Sequence, residues 1–289
     1  MGSSGELIDR KQHDIAAAAN AATYDEDLTR TCTELSPHIK HPTLKRLYER
    51  LIEDLYRRAA ENAPVPAVLD IGAGEGSVTL PFLEFGCRVT AVDLSPTQIA
   101  ELENKCSRYA DRLETRCMDV TEYLDTTGDR FDLIVANSFL HHVPDYVGLV
   151  EKALILLRPG GQFFSFQDPM RYDTLPAATR LFSGAAYAGW RVFDGDVIRG
   201  IGRYVRRKRG VYLDDSPEDN TEFHATRNGV DQDAIAEMLR TKGFEVKIVQ
   251  YFSTHSSFFQ KLGETLNVAD SFGIVARSLE VQTDDAANG

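Results

Sequence analysis

Residues 68–81 read VLDIGAGEGSVTLP. An apolar run enters Asp70, and Gly72, Gly74 and Gly76 follow at every second position before a segment able to turn helical. A buried strand that ends in alternating glycines brings bare backbone, and the N-terminus of the next helix, close to a ligand. A dinucleotide fingerprint is spaced G-x-G-x-x-G, its third glycine packing helix on strand. Here the spacing is G-x-G-x-G and position 77 is Ser77. Asp70 also sets a carboxylate at the mouth of the loop, where it would repel a pyrophosphate. The stretch favours a nucleotide-like ligand with an amino group and no phosphate.

Outward from this loop, strands and helices alternate. Strands are predicted at 67–71, 87–92, 113–117, 131–136 and 162–166, and helices at 77–85, 96–109 and 146–157, the last closed by the breaker RPGG. A helix at 232–242 ends at Gly243, and strands at 244–250 and 272–276 complete the set. Such alternation predicts an α/β fold with a mostly parallel, doubly wound sheet. Ahead of it, the alanine-rich run 15–22 predicts a short helix and 41–60 a longer amphipathic one. Residues 1–15 and the polar tail read as frayed.

One interval breaks the rhythm. Residues 170–228 are far longer than the ~2–6 residues such a connection needs. They emerge at the carboxyl edge of the sheet, where open α/β folds bind ligands. The expectation is a cap over the substrate site, with a dimerisation arm as the alternative. The chain thus divides into an N-terminal helical lid segment (1–62), a cofactor-binding core (63–169), a cap insert (170–229), a C-terminal helix and strand pair (230–280) and a disordered tail (281–289). Within the insert, Arg199, Arg203, Arg206, Arg207, Lys208 and Arg209 form a basic stretch followed at once by LDDSPEDNTE. It reads either as internal charge compensation or as a landing site for an anionic substrate.

Composition narrows the function classes. With 289 residues and 43% hydrophobic content the chain can bury a real core, and it has no apolar run long enough for a membrane span. A net charge of −12 disfavours nucleic acid as a partner. Cys32, Cys87, Cys106 and Cys117 show no metal or disulfide spacing. They read as buried reduced thiols, and MGSSGELIDRK lacks the apolar centre of a signal peptide; both point to a cytoplasmic setting.

Several residues could carry chemistry. Asp93, at the end of the second strand, could accept two hydrogen bonds from vicinal ribose hydroxyls. Asp119, in CMDV, could accept from an exocyclic amine. NSFLHHVPD follows the fourth strand with Asn137, His141 and His142. Adjacent histidines diverge on a helix or strand, so one is expected to be functional and the other structural. Asp168 ends the fifth strand beside the fourth, where a carboxylate could orient an imidazole and raise its basicity. His224, in EFHATRNG, is a second candidate base or a packing histidine. No second acidic ligand is evident for a metal.

Together these features resemble the class I S-adenosylmethionine-dependent methyltransferases: DIGAGEG, AVDLS, MDV, FDLIVANSFLHHV and LRPGG stand in that family's order. The resemblance implies a Rossmann-like seven-stranded sheet with its last strand antiparallel, and S-adenosylmethionine as cofactor. It assigns Asp70 and Gly72 to the methionine end with Asn137 nearby, Asp93 to ribose, and Leu94, Asp119 and Val120 to adenine, with Gly74 also binding the cofactor. Tyr24 would sit in a lid over the cofactor. HHVPD with an acid after strand five is similar to the subset that methylates hydroxyls of sugars and natural products, which makes His141 and Asp168 the base pair. The expected activity is methyl transfer to a hydroxyl of a small-molecule acceptor. Nitrogen or carbon methylation, and a cyclase or scaffold that binds the cofactor without methylating, are the competing readings.

Overall fold

The computed structural model describes residues 4–24, 36–194, 206, 210–213, 216–221 and 223–279. Among the described residues, three helices precede the sheet: α1 (Ser4–Tyr24), α2 (Pro37–Lys40) and α3 (Pro42–Asn62). The core runs β1 (Ala67–Ile71), α4 (Thr79–Glu84), β2 (Arg88–Asp93), α5 (Pro96–Lys105), β3 (Leu113–Cys117), α6 (Val120–Thr126), β4 (Phe131–Asn137), α7 (Tyr146–Leu154) and β5 (Leu157–Pro169). The insert contributes α8 (Ala177–Asp194) and α9 (Pro217–Asn220), and α10 (Gln232–Thr241), β6 (Phe244–Tyr251), α11 (Ser257–Thr265) and β7 (Ser271–Ser278) follow.

The seven strands lie in the order β3-β2-β1-β4-β5-β7-β6. β1 pairs parallel with β2 and β4, and β7 runs antiparallel to both β5 and β6. The mixed sheet with an antiparallel last strand is the one expected. Successive side chains point to opposite faces of a strand, so Phe163 and Phe164 enter different cores. On one face Leu44, Leu51, Ile52 and Leu55 of α3 pack with Phe82, Phe164 and Phe166; on the other, Tyr123, Leu149, Ile235 and Leu239 pack with Ile71, Ile134 and Phe163. β1 leads out toward β2 and β3, whereas β4 leads the other way. The crevice between their carboxyl ends is the switch point at which such sheets bind ligands.

The structure corrects several expectations. Residues 4–24 form one long helix rather than a frayed end and a short helix, as fits a run rich in alanine and other strong helix formers. Five helices among the described residues were not foreseen: α2; α8 and α9 of the insert; α6, capped by Asp119, whose carboxylate accepts from Thr121 N and Glu122 N; and α11, capped by Ser256. Strand five starts at Leu157, so RPGG belongs to its opening, with a register shift against β4, and does not close a helix. Cys87 and Cys106 are buried, but Cys117 is exposed at the sheet edge. Cys32, the tail, and Arg199, Arg203, Arg207, Lys208 and Arg209 lie outside the described residues. Arg206 is described, and it pairs with the fully buried Asp219 of α9.

Candidate active site

A cavity opens at the carboxyl ends of β1 to β4. Gly72, Gly74, Asp93, Leu94, Asp119, Val120 and Asn137 line it. The glycine loop turns back on itself with φ of +67, +52 and +86° at Gly72, Gly74 and Gly76, values that side-chain-bearing residues rarely adopt. A Cβ on Gly72 would lie 2.1 Å from the Phe139 ring, so the loop and the end of β4 meet without clearance. Ser138, at φ +54°, turns the chain there, and its N–H donates to Phe166 O at 2.7 Å.

Asp93 is fixed by backbone: Gly74 N donates to Oδ2 at 2.8 Å and Ser95 N to Oδ1 at 2.9 Å. A carboxylate offers about four acceptor sites in all. Asp70 lies beneath the loop. Thr79 Oγ1 donates to its Oδ2 at 2.6 Å, and its Oδ1 is buried without a partner. Burial pushes this carboxyl up to about 7. Asn137 Nδ2 lies 3.4 Å from both Ser77 Oγ and His38 Nε2.

Asp119 has more partners than the sequence suggests. Besides capping α6, its Oδ2 lies 3.1 Å from His13 Nε2 of α1. Burial raises this carboxyl, but the His13 hydrogen bond and charge outweigh it, and its pKa is lowered. Tyr24 is the last residue of α1, and its side chain is not among those described.

The histidines separate into distinct environments. His141 Nδ1 lies 2.8 Å from Asp168 Oδ1, and the His141 backbone N–H donates to the same oxygen at 3.1 Å. Asp168 is fully buried, and its Oδ2 has no partner. The rings of His141 and His142 do not diverge. Their centroids are 4.1 Å apart, because both lie in the tight turn of a short 3-10 segment, Leu140–His142. Among the described residues, His142 rather than His141 lines the cavity. His142 Nδ1 meets Thr221 O of the insert, and burial pushes its pKa down to about 3. His224 Nε2 is 3.0 Å from Pro144 O, and burial lowers it also.

Sequence reasoning missed His13, Asn20, Ser36, His38, Gln98 and Phe139, all on the cavity wall. His38 is 2% exposed, its Nδ1 has no partner, and burial holds its pKa at about 4. Asn20 Oδ1 and Asn137 Oδ1 are likewise buried and unpartnered. Leaving such atoms unmatched costs about 1–3 kcal/mol each, so a cavity wall that carries three of them is shaped for a polar ligand. No local pattern in PHIK or HDIAAAANAA marks these positions. Among the described residues no group of three His, Cys, Asp or Glu could hold a metal, and no helix is long and apolar enough to cross a membrane.

Residues 68–161 match the family model described as methyltransferase domain. Over this segment the chain is similar to that domain. A ubiquinone biosynthesis O-methyltransferase of Coxiella burnetii is 33% identical over 97 residues, which is 34% of this chain and 41% of that protein. The chain therefore spans well under half of that relative. Among solved structures, geranyl diphosphate C-methyltransferase from Streptomyces coelicolor A3(2) superposes with a TM-score of 0.54 at 16% identity, covering 93% of this chain and 97% of that one. Magnesium protoporphyrin IX methyltransferase from Synechocystis PCC 6803, with bound SAH, gives 0.51 at 14% identity, covering 93% and 99%. The fold is thus that of the class I methyltransferases. The site residues also fit S-adenosylmethionine. The anchored Asp93 suits a diol, Asp119 an exocyclic amine, and the unpartnered atoms of Asn20, His38 and Asn137 the polar groups of an amino acid.

Proposed function

We propose that this chain transfers the methyl group of S-adenosylmethionine to a small-molecule acceptor, and that the accepting atom is a hydroxyl oxygen of a sugar or secondary metabolite. The observation that carries the oxygen assignment is the buried His141–Asp168 pair, 2.8 Å apart beside the cavity. S-adenosylmethionine, when bound, supplies an electrophilic methyl on a sulfonium. Gly72 and Gly74 backbone and the Asn137 side chain would hold its amino-acid end, with Asp70 behind them. Asp93 would hold the ribose, Leu94 and Val120 would flank adenine, and Asp119 would accept from its amine.

The chain's main task is positioning, since an in-line displacement gains most from holding nucleophile and methyl about 3 Å apart. Its second task is to take a proton from an alcohol. The Asp168 carboxylate keeps the His141 proton on Nδ1, makes Nε2 the basic nitrogen, and offsets the charge that forms on the ring. His142 and His224 direct ring nitrogens at the carbonyls of Thr221 and Pro144, and burial keeps them neutral. They act as struts between the catalytic loop and the insert. An anionic acceptor would make activity fall steeply with added salt through the basic stretch of the insert.

His141→Ala should reduce methyl transfer by about 10²–10⁴-fold, with S-adenosylhomocysteine binding unchanged. The readout is S-adenosylhomocysteine release across hydroxyl, amine and carbon acceptors. Near-normal turnover in the variant would remove His141 as base. Amine methylation, which needs no such base, is the second reading, favoured by the placement of His142 rather than His141 on the cavity wall. Failure of the protein to bind S-adenosylmethionine in calorimetry would sink every version.

A further inference from the structure

Helix α1 forms part of the cavity wall, through Ala16, Ala17, Asn20 and Ala21. Among the described residues, several bonds tie it to distant parts of the chain, Thr221 Oγ1 to Ala19 O at 3.3 Å among them. His13 Nε2 lies 3.1 Å from Asp119 Oδ2, and Thr23 Oγ1 lies 2.9 Å from Thr221 Oγ1 of the insert. Asp119 Oδ1 is committed to Thr121 N at 2.8 Å and Glu122 N at 3.2 Å. Oδ2 is therefore the oxygen that holds α1. A carboxylate oxygen has two lone pairs, so this one can hold His13 and still accept from an exocyclic amine.

His13 also lines the cavity beside Asp119. It is thus placed at the end where the family resemblance puts adenine. We propose that His13 is a cofactor-retaining residue, whose bond to Asp119 clasps α1 over the adenine end of an S-adenosyl ligand. The inference rests on the S-adenosylmethionine reading and adds to it a residue that no motif contains.

The charges facing His13 come from three elements. Asp119 of α6 acts first, through its hydrogen bond, and raises the imidazole pKa; burial opposes this, the charges of Asp119 and of Asp14 on α1 add to it, and Lys152 of α7 opposes it. Lys152 is itself paired with Asp125 at 2.7 Å. The sign follows. Below the His13 pKa the clasp is a charge-assisted bond, and above it the bond loses its charge. Both side chains are about a quarter exposed, at 29% and 26%, so solvent screens the pair and the effect stays modest.

The test is calorimetry of S-adenosylhomocysteine binding to the full chain at pH about 6 and 8.5, for wild type, His13→Gln and His13→Arg. The three bind the same ligand, so its own titration cancels in the comparison. Wild-type affinity should fall more than that of His13→Gln between the two pH values, by a further factor of roughly three to ten. His13→Gln should bind more weakly than wild type at the lower pH and match it at the higher. His13→Arg, charged at both, should bind more tightly than wild type at the higher pH. Parallel pH profiles for wild type and His13→Gln would overturn the clasp alone. Absence of wild-type binding at both pH values would instead overturn the cofactor reading, and the clasp with it.

Discussion

Asp70 lies sealed under the glycine loop, with Thr79 Oγ1 on one oxygen and nothing on the other. Burial moves its pKa from 3.8 to about 7. Between those values the folded chain holds a proton that the unfolded chain has released. Stability contributed by this group is therefore full below pH about 4, falls through the window, and is lost above about 7. A shift of that size corresponds to at most about 4 kcal/mol. Asp70→Asn keeps an acceptor for Thr79 and removes the ionisation. It should raise Tm at pH about 8, with the gap closing near pH 4, as scanning calorimetry would show; an equal gap at both would refute this account. The same change should weaken S-adenosylmethionine, whose amino group gains from a carboxylate at that end. At this scale Asp70 and Asp93 were legible because each stands at the end of a strand, just before a loop. His38 was not legible, since its burial comes from Tyr48 and Phe166, whose rings lie 5.0 and 6.3 Å from it.

The strand–loop–helix unit from β1 to α4 is the element on which the cofactor end depends. Its first glycine has two separate requirements, a φ of +67° and bare contact with the Phe139 ring. Gly72→Ala should therefore cost about 1–3 kcal/mol from the backbone and more from the clash, with S-adenosylhomocysteine affinity lost in parallel. Adding Phe139→Ala should restore part of the lost Tm, because it relieves the contact and leaves the dihedral strain. If thermal melts show no recovery in the double variant, Phe139 is not the obstacle. The alternation of elements was visible in the sequence as apolar runs closed by Gly and Pro. The unforeseen α6 is a seven-residue helix, too short for periodicity to show. Its only marker was Asp119, which reads equally well as a ligand contact and as an N-cap.

Across the whole molecule, the two cores are built without α1. Of its described side chains only Ala16 is buried, at 2%, and α1 supplies none of the described residues of either main core. Removal of residues 1–24 should leave a folded seven-stranded chain by circular dichroism, with Tm changed little. S-adenosylhomocysteine Kd should rise by on the order of tenfold, about 1.4 kcal/mol, as the cavity loses its α1 wall. Collapse of the sheet in that truncation would show that α1 belongs to the core.

The sequence by itself determined the alternation of strands and helices, the glycine loop, and the acids at the ends of β1 and β2 and after β3. These are local signals, because each depends on residues adjacent in the chain and on the geometry of one turn. Only the tertiary structure decided which histidine meets which partner. His13 reaches Asp119 across 106 residues and His142 reaches Thr221 across 79. Burial sets the charge of His38, and a 3-10 turn brings the ring of His141 within 4.1 Å of that of His142. Such pairings depend on how helices and insert close over the carboxyl edge of the sheet, and no stretch as short as a motif encodes that closure.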